Sequence, residues 1–496
     1  MYQYLISTSS NKYKQGSKSH LIDHNGTKYL DTRNNVAHVG HQNPNVIQAV
    51  TKQLSTLNTN SRYLHPNSVL LAQRLVNLFP SSSASSQPNL SKVFFVNSGS
   101  EANDLALRLA RAYSKSKNVI MVDNAYHGHT LATLDISPYK YKKSKEYENI
   151  SCGHEHESSK DECGSISTSS SKTPGDHLYE VPCPDTFRGR YYFSNPIYNS
   201  KDDDNDPQSQ QQQAKVGKTT RCQYDYAKDV EDACQYFVQQ KNEKVGAFII
   251  EGGMSVGGVI LPPPSYLKRC ADAVRKAGGV YIADEVQTGF GRLGSCFWGF
   301  QYSQSDVGNN NDGVIPDIVT VGKPFGNGMP LAAVITTEEV SNAFESMDVE
   351  YFNTFGGNPV SCASGLAVLD EIESKQLQQN AYDVGKYLMH KLNVLKQDLH
   401  IIGDVRGNGL FIGIDLITDE ETLQPATREC SFLCTVLKQK YFILTSIDGP
   451  YDNVLVIKPP LCFSRDDVDV FVSAFESAVR DDLSQIDLNS VSKTPT

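Results

Sequence analysis

The chain has 496 residues, of which 39% are hydrophobic and 21% charged, with a formal net charge of −10 and eleven cysteines. This is the composition of an ordinary globular protein, and its length suggests about two to four domains. The acidic balance argues against general nucleic-acid binding, which needs a basic face, and the chain lacks the run of about eighteen apolar residues that a membrane span requires.

The N-terminal segment is polar. Residues 1–22 contain no acidic residue and several lysines and serines, which faintly resembles a transit peptide. Domain-like sequence begins near His20, and residues 1–45 are predicted to pack with the C-terminal part. Several cysteines, such as Cys362 and Cys434, lie in apolar contexts and indicate buried thiols in a reducing compartment. The cytoplasm and the mitochondrial matrix are both consistent with this.

The segment 46–338 alternates short apolar runs with helical patterns. Residues 93–96 predict a strand, and apolar residues from Ala102 onwards recur at helical spacing. Further strands are predicted from short apolar runs at 118–122, 245–250, 280–283 and 318–321. Strands separated by helices are typical of an α/β fold whose mostly parallel central sheet is flanked by crossover helices.

Two low-complexity tracts interrupt this large domain, at residues 142–176 and 200–220. They cannot bury enough apolar area to offset the entropy of ordering, so disordered surface insertions are predicted. The first tract contains soft and imidazole ligands that could bind zinc, at Cys152, His154, His156 and Cys163. Their spacing matches no closed zinc module, so an incidental cluster is favoured and no metal site is predicted.

The pattern changes to long helices from Ser341 onwards, and residues 404–415 then alternate like a strand. A domain boundary is therefore predicted at 335–345. Residues 339–496 would form a smaller α+β C-terminal domain.

In open parallel sheets, ligands bind beyond the carboxyl ends of the strands, and four segments bring suitable groups to this edge. Gly99 and Ser100 precede a helix, where small residues and the helix dipole favour an anion; a simple helix cap is the alternative. Tyr126 follows the strand at 118–122 and could stack on a planar ring or belong to the core.

Asp284 and Lys323 each come directly after a strand. A buried carboxylate is costly unless it is paired, so Asp284 could bind a metal, cap a helix or pair with a protonated pyridinium nitrogen. Desolvation would make the amine of Lys323 nucleophilic, and a salt-bridged lysine is the alternative. A phosphate cradle, an aromatic platform, an anionic partner and a nucleophilic lysine, in this order, are what pyridoxal 5′-phosphate (PLP) needs.

Five motifs resemble the class-III PLP-dependent aminotransferases, and they occur in the family's order. They are NSGSEAN (97–103), YHG (126–128), IADEVQTGFGR (282–292), GK (322–323) and FNTFGGNP (352–359). The similarity covers nearly the whole chain apart from the two insertions and the N-terminal start. It implies a fold type I PLP-dependent transferase, with a large domain built on a mostly parallel sheet and a smaller α+β domain.

The resemblance implies a role for each matching residue around the cofactor ring. Lys323 would carry PLP as a Schiff base, and Asp284 would pair with the pyridine nitrogen and keep it protonated. Tyr126 would stack on the ring, and Gln287 would contact its 3-hydroxyl side.

The resemblance also implies how the cofactor phosphate is held. Gly99 and Ser100 would bind it from the same subunit, and Thr354 would reach it from the neighbouring subunit. The role of Thr354 implies a homodimer or a dimer of dimers.

A narrower resemblance concerns the reaction. Four further segments look like the subgroup called alanine–glyoxylate aminotransferase 2-like: NVAHVGH (35–41), NTNSRYLH (58–65), DISPYK (135–140) and DTFRG (185–189). Its characterised members are phospho-lyases for ethanolamine phosphate or 5-phosphohydroxy-L-lysine. The products would be acetaldehyde or 2-aminoadipate semialdehyde, each with ammonia and phosphate.

Both substrates carry an amine on the carbon next to the phosphate-bearing carbon. After that carbon loses its proton, a transaminase reprotonates the cofactor, whereas a lyase expels phosphate. A class-III transaminase of the alanine–glyoxylate or ω-amine type is therefore the alternative. An inactive binding homologue is a remote one, because Lys323 and Asp284 are intact.

Three arginines are candidates for binding the substrate. Arg62 and Arg188 could bind its phosphate in a fork geometry, with a surface salt bridge as the alternative. Arg406 matches the position at which class-III enzymes bind an α-carboxylate.

Overall fold

A computed structural model describes residues 12–80, 87–142, 175–189, 225–302, 313–348 and 350–485. Most of the two predicted insertions, including the cysteine and histidine cluster at 152–163, lies outside the described residues.

The N-terminal residues form three antiparallel strands: β1 (Tyr13–Ser17), β2 (His20–Asp23) and β3 (Lys28–Asp31). Two helices follow, α1 (Pro44–Leu54) and α2 (Pro66–Asn77). Each helix begins at a proline, whose fixed φ suits the first helical turn. Among the described residues, regular structure begins at Tyr13, before the position near His20 that the sequence pattern indicated.

The central sheet consists of seven strands: β4 (Leu90–Val96), β5 (Val119–Val122), β6 (Leu178–Val181), β7 (Ala247–Glu251), β8 (Val280–Asp284), β9 (Ile318–Val321) and β10 (Ala332–Thr337). Their spatial order is β4-β10-β9-β8-β7-β5-β6. Strands β5 to β9 run parallel, whereas β10 is antiparallel to both β4 and β9. The mostly parallel sheet is confirmed; β6 and β10 were not predicted.

Helices cover this sheet: α3 (Gly99–Ser114), α4 (Leu131–Asp135), α5 (Pro138–Tyr141), α6 (Asp225–Gln235), α7 (Tyr266–Lys276) and α8 (Glu338–Glu345). Short helical turns occupy Tyr236–Gln240, Gly299–Gln301 and Lys323–Gly326. Every residue of β5, β7, β8 and β9 is buried, as expected for parallel strands that are covered on both faces.

The C-terminal part contains two long helices, α9 (Pro359–Ser374) and α10 (Leu377–Asp398), and then a mixed layer. Its strands are β11 (Ile402–Asn408), β12 (Phe411–Asp419), β13 (Gln424–Pro425), β14 (Ile443–Leu444), β15 (Ser446–Asp448) and β16 (Val454–Ile457). Its helices are α11 (Thr427–Gln439) and α12 (Arg465–Ser477), with helical turns at Ala478–Asp482 and Leu483–Gln485. The small sheet has the order β11-β12-β16-β15, with β13 beside β12.

The single strand predicted at 404–415 is wrong, because this segment forms most of the β11–β12 hairpin. Gly407 and Gly409 take positive φ values of +123° and +55° at the turn, which favours glycine. The alternation typical of a strand continues on both sides of the turn. The sequence pattern therefore shows no break where the chain reverses direction.

Two contacts bear on the predicted domain division. Strand β3 pairs in parallel with β14, so the N-terminal strands lie against the C-terminal part. Helix α8 follows the predicted boundary but packs on the central sheet, where the Phe344 ring meets Phe94 of β4 edge-on at 6.4 Å. The boundary at 338/339 stays a prediction.

Candidate active site

The carboxyl ends of three central strands bring charged groups to one edge of the sheet. Glu251 at the end of β7 lies beside Asp284 at the end of β8, and Asp284 lies beside Thr320 of β9. Lys323 follows β9 and begins a short helical turn. The amine of Lys323 is within electrostatic range of both Asp284 and Glu251. The structure therefore brings the two predicted residues Asp284 and Lys323 together.

Asp284 is held by a network of buried donors. Asn103 Nδ2 and His127 Nδ1 donate to its Oδ2 at 2.7 and 2.8 Å, and the Val286 N–H donates to Oδ1 at 3.1 Å. Thr320 Oγ1 donates to Asn103 Oδ1 at 2.6 Å and fixes the amide in turn. This carboxylate is a paired, oriented group rather than an isolated charge.

Lys323 is half-buried at the same edge. Burial lowers the pKa of its amine, and the positive charge of Lys458 lowers it further, whereas Asp284 and Glu251 act in the opposite direction. A lowered pKa increases the unprotonated fraction of the amine near neutral pH, and this is its nucleophilic form.

The turn before α3 packs against the ends of β8 and β9. A Cβ on Gly99 would lie 2.8 Å from Val286 Cγ1, and a Cβ on Gly322 would lie 3.2 Å from the Gly99 nitrogen. The side chain of Ser98 accepts a hydrogen bond from the Glu101 N–H at 3.2 Å and caps the helix. The helix-cap alternative is therefore observed at this helix start, and the binding of an anion by Gly99 and Ser100 stays a prediction.

Ser100 faces the loop that follows β5. Its Oγ accepts a hydrogen bond from the His129 N–H at 3.1 Å, and a Cβ on Gly128 would lie 2.7 Å from this oxygen. Gly128 has a φ of +140°, which also favours glycine. The predicted phosphate-binding turn and the loop that carries Tyr126 therefore touch.

Tyr126 and Gln287 are anchored from other segments. The Tyr126 N–H donates to Glu251 Oε1 at 3.0 Å, and Lys140 Nζ lies 5.7 Å from the centroid of the Tyr126 ring. Asn35 Nδ2 donates to Gln287 Oε1, so the N-terminal segment reaches the site. The roles of Tyr126 and Gln287 towards a cofactor stay predictions.

Arg62 and Thr354 are both exposed in the single chain. The Thr354 loop reaches the start of α3, because Asn97 Nδ2 donates to Asn353 Oδ1 at 2.9 Å and Asn353 Nδ2 donates to Glu101 Oε2 at 3.0 Å. The Arg62 guanidinium sits over the Phe352 ring at 4.3 Å, and the Ser61 N–H donates to the Thr354 carbonyl at 3.3 Å. Within this chain, Arg62 makes a cation–π contact and forms no ion pair with the described residues.

Arg188 and Arg406 share one buried acid. Arg188 donates to both oxygens of Asp415, with an Nη2–Oδ1 distance of 2.6 Å, and to the Leu423 carbonyl. Arg406 donates to Asp415 Oδ2 from both Nη atoms at 3.0 Å and to Asp404 at 3.1 Å. The surface salt bridge considered for Arg188 is in fact a buried one, because Asp415 is fully buried.

Lys458 was missed in the sequence. It follows β16, and its Nζ donates to Ser255 Oγ at 2.7 Å and lies 3.4 Å from Asp448 Oδ2. Its charge acts on Lys323. A lysine directly after a buried apolar strand is the signal that singled out Lys323, so the same criterion would have found Lys458.

Glu251 was also missed, although it ends a strand as Asp284 does. Its carboxyl is buried, and burial raises its pKa to about 7, an effect that Asp284 reinforces and His127 opposes. A carboxyl group that titrates near neutral pH beside a candidate cofactor site is a functional candidate.

Among the described residues, no group of three or more His, Cys, Asp or Glu side chains has an arrangement that could hold a metal ion, and none of the helices described is long and apolar enough to span a membrane.

A family model described as aminotransferase class-III matches residues 7–170 and 183–479. The chain belongs to the class-III aminotransferase family. It is 42% identical to a Drosophila melanogaster protein named alanine–glyoxylate aminotransferase 2-like, over 94% of this chain and 82% of that protein. It is 37% identical to ethanolamine-phosphate phospho-lyase homolog 1 of Caenorhabditis elegans, over 94% of this chain and 87% of that protein.

A solved structure is similar as well. A phospholyase from Arthrobacter in complex with phosphoethanolamine superposes with a TM-score of 0.74 and 34% identity, covering 96% of this chain and 95% of that chain. The class-III resemblance and the fold type that it implied are confirmed. The family match begins at residue 7, earlier than the motifs indicated.

PLP is the cofactor of this class-III chain, as the resemblance implied. The residues at the sheet edge fit it on chemical grounds. Lys323 offers an amine of lowered pKa, Asp284 offers a buried and oriented carboxylate, and Gly99 leaves the start of α3 without a side chain. An amine, an anion and an anion-binding helix terminus are the three groups that PLP requires.

Proposed function

We propose that this chain is a phospho-lyase that eliminates phosphate from a vicinal amino phosphate, such as ethanolamine phosphate or 5-phosphohydroxy-L-lysine. The observation that carries the proposal is the likeness to the Arthrobacter phospholyase, at 34% identity over nearly the full length of both chains. The relative from C. elegans with a phospho-lyase name supports the same reaction.

The chemistry assigns distinct tasks to the residues of this chain. Bound PLP would supply an electron-withdrawing ring that stabilises negative charge on the carbon next to the amine. Lys323 would take the proton from that carbon, because its lowered pKa leaves the amine free to accept one. Asp284, fixed by Asn103 and His127, would hold its negative charge against the ring nitrogen.

The bond that breaks next joins the neighbouring carbon to the phosphate oxygen. Phosphate leaves with the electron pair, and the remaining enamine takes up water to give an aldehyde and ammonia. Ethanolamine phosphate and water thus give acetaldehyde, ammonia and phosphate. 5-Phosphohydroxy-L-lysine gives 2-aminoadipate semialdehyde with the same two co-products. Neither reaction consumes a keto acid.

For the substrate phosphate we propose Lys458 rather than Arg188 or Arg406. Both arginines donate to the fully buried Asp415, at 2.6 and 3.0 Å, whereas Lys458 Nζ lies 3.4 Å from its acid, Asp448, and its short hydrogen bond is to the neutral Ser255 hydroxyl. Lys458 acts electrostatically on Lys323, where the reacting carbon must lie, and its ammonium has three N–H donors. Arg62 is exposed in the single chain and could contribute from a neighbouring subunit.

The substitution Lys458→Met tests this assignment. A charge-assisted hydrogen bond is worth about 1.5–3 kcal/mol, so KM for ethanolamine phosphate should rise about 10- to 100-fold. Lys440→Met, which removes an exposed lysine paired with Asp482, is the matched control and should leave KM unchanged. If KM is unchanged in Lys458→Met, Lys458 does not bind the substrate phosphate, and the arginines are again the candidates.

We also propose that the chain is a homodimer, or a dimer of dimers, that uses the face around Thr354. Several large apolar side chains are exposed there in two segments that touch through the Ser61 hydroxyl and the Asn353 carbonyl at 2.7 Å. They are Leu57, Tyr63, Leu64, Val69, Leu70 and Phe355. An exposed apolar patch of this kind marks an interaction surface.

The substitution Leu64→Asp tests the dimer, since Leu64 is 86% exposed in the single chain. We expect a dimer by light scattering for the unmodified chain and a monomer for the variant. Val470→Asp, at a 55% exposed position on α12, is the control and should remain dimeric. A monomeric parent chain would refute the proposal.

The direct test of the reaction uses the PLP-loaded protein with each phosphorylated amine separately and without keto acid. Prompt release of phosphate and ammonia from one of them would establish the lyase and name its substrate. The rival is a class-III transaminase of the alanine–glyoxylate or ω-amine type, which would use the same Lys323 amine and Asp284 carboxylate. Turnover of alanine only with added glyoxylate, and no phosphate release, would establish that rival.

A further inference from the structure

The loop that carries Lys458 has few backbone donors of its own. Lys458 follows β16 and is followed by Pro459 and Pro460, and neither proline has an N–H to donate. Three backbone groups around the two prolines bond to other parts of the chain: the Lys458 N–H, the Pro459 carbonyl and the Leu461 N–H. The partners of these three groups therefore determine where the backbone of Lys458 lies.

The partners come from the N-terminal segment and from the loop after β8. The two N–H groups donate to the carbonyls of Thr32 and His38, each at 2.7 Å. The Pro459 carbonyl accepts from Nη1 of Arg292, which lies in the loop after β8. The Lys458 loop is thus fixed by two segments that are distant from it in the sequence.

Arg292 is buried and makes no ion pair with an acid among the described residues. Besides Pro459, its Nη1 donates to the Leu410 carbonyl at 3.3 Å, and its Nη2 lies 3.1 Å from His38 Nδ1. A buried guanidinium is costly, and here backbone carbonyls and an imidazole take the place of an acid. The planar group therefore joins three segments: the Lys458 loop, the β11–β12 turn and the N-terminal segment.

His38 is buried too, and its two neighbours determine its tautomer. Nε2 lies 2.8 Å from the Phe290 carbonyl, which can only accept, so this nitrogen carries the proton. Nδ1 faces Arg292 Nη2, which can only donate, so Nδ1 is the unprotonated acceptor. The neutral imidazole thus orients the guanidinium that holds Pro459.

We propose that Arg292 and His38 are positioning residues of the substrate-phosphate site and act through Lys458. They hold the loop after β16 at the place from which Lys458 Nζ reaches Ser255 Oγ, at 2.7 Å. An ammonium on a flexible stem is a well-placed ligand for phosphate only if its backbone is fixed. This inference rests on the proposed binding of the substrate phosphate by Lys458.

The test measures the binding of inorganic phosphate, a product of the proposed reaction, to the PLP-loaded protein by titration calorimetry. Arg292→Lys keeps the positive charge but loses the planar fork that reaches two carbonyls and the imidazole. The dissociation constant should rise, up to the limit of about 10- to 100-fold that loss of the Lys458 ammonium itself would set.

A double-mutant cycle separates positioning from a general loss of stability. In the Lys458→Met background the ammonium is absent, so Arg292→Lys should weaken phosphate binding no further. The urea midpoint should nevertheless fall on adding Arg292→Lys in both backgrounds. An equal weakening of phosphate binding in the two backgrounds would show that Arg292 does not act through Lys458, and would overturn the proposal.

Two substitutions of His38 keep the test decisive if Arg292→Lys does not fold. His38→Asn places an amide oxygen near the position of Nδ1 and keeps the acceptor for Arg292. His38→Gln places an amide nitrogen near the position of Nε2 and keeps the donor to Phe290 instead. Each variant loses one of two hydrogen bonds, and we expect His38→Gln to bind phosphate more weakly than His38→Asn. Equal affinities would contradict the role of His38.

Arg275→Lys is the matched control for the arginine substitution. Arg275 also donates to a carbonyl, that of Ile315 at 2.6 Å, and pairs with Asp317 at 3.0 Å. This variant should lose stability and bind phosphate as the parent does. A weakening as large as that in Arg292→Lys would mean that any destabilised variant binds phosphate poorly, and would refute the proposal.

Failure of this inference and failure of the proposed function give different results. If only Lys458→Met weakens phosphate binding, while the variants of Arg292 and His38 match the parent, the positioning role alone is wrong. If Lys458→Met binds phosphate as the parent does, the proposed phosphate site is wrong and this inference falls with it. The expected binding pattern without phosphate release from an amine substrate refutes the lyase alone.

Discussion

Asp415 offers a strong test of the structural account, because one carboxylate faces two guanidinium groups in the interior. Its oxygens accept from Arg188 at 2.6–3.1 Å, from Arg406 at 3.0 Å and from Asn453 Nδ2 at 2.7 Å. The substitution Asp415→Asn removes the negative charge while keeping the shape. It leaves two cations close together, with Asp404 as the remaining acid bonded to Arg406.

Breaking a buried ion pair by removing one partner costs about 3–5 kcal/mol, since the remaining charge is desolvated and unpaired. Asp415 is fully buried, and the side chains of Arg188 and Arg406 are 10% and 15% exposed, so this range applies. At about 1.4 kcal/mol for each factor of ten, the folding equilibrium should shift by about 10²- to 10⁴-fold.

Urea unfolding measures this change, followed by far-UV circular dichroism and by fluorescence. The chain has one tryptophan, Trp298, which is buried and stacked on Phe79 at 4.7 Å, so its emission reports on the core of the large part. A single free energy of unfolding can be derived only if the circular dichroism and fluorescence transitions coincide.

Asp272→Asn is the control, because it also removes an acid from an ion pair, that with Lys268 at 3.0 Å. Asp272 is 58% exposed, and a surface pair contributes about 0–1 kcal/mol. Equal stability losses in the two variants would refute the buried network. They would also restore Arg188 as a candidate for the substrate phosphate.

Two further predictions concern the cofactor and the packing of the C-terminal part. Lys323→Ala should abolish the visible absorbance of protein-bound PLP, whereas Lys276→Ala, at an exposed position on α7, should retain it; equal spectra would exclude Lys323 as the anchor. Gly385→Ala on α10 should destabilise the chain by about 1–3 kcal/mol in urea, because the added Cβ would lie 2.1 Å from the Gly409 carbonyl oxygen. Unchanged stability would mean that this helix does not pack on the β11–β12 turn.

The central sheet was predictable because its parallel strands are buried on both faces and read as short apolar runs. Strand β10 was not predicted because its orientation depends on pairing with β4, more than 200 residues earlier in the chain. The β11–β12 hairpin was predicted as a single strand because the alternation typical of a strand continues on both sides of its turn. Both errors concern pairing, which local periodicity does not encode. Strand β6 was missed for another reason: it has only four residues, and the two in the middle are half-buried, so it does not read as an apolar run.

The site was predictable to the extent that its groups follow strands directly, as Asp284 and Lys323 do. Lys458 and Glu251 obey the same rule and were found only in the structure. The Asp415 network could not be anticipated, because Arg188 and Asp415 are 227 positions apart and no local pattern connects them.

The central claim is that this chain expels phosphate without a keto acid, and product stoichiometry tests it most directly. The PLP-loaded protein is incubated with excess ethanolamine phosphate, and phosphate, ammonia and acetaldehyde are measured over many turnovers. We predict equal amounts of all three, with no dependence on added pyruvate or glyoxylate. Products that retain the phosphate group, formed only when a keto acid is supplied, would contradict the account and identify a transaminase.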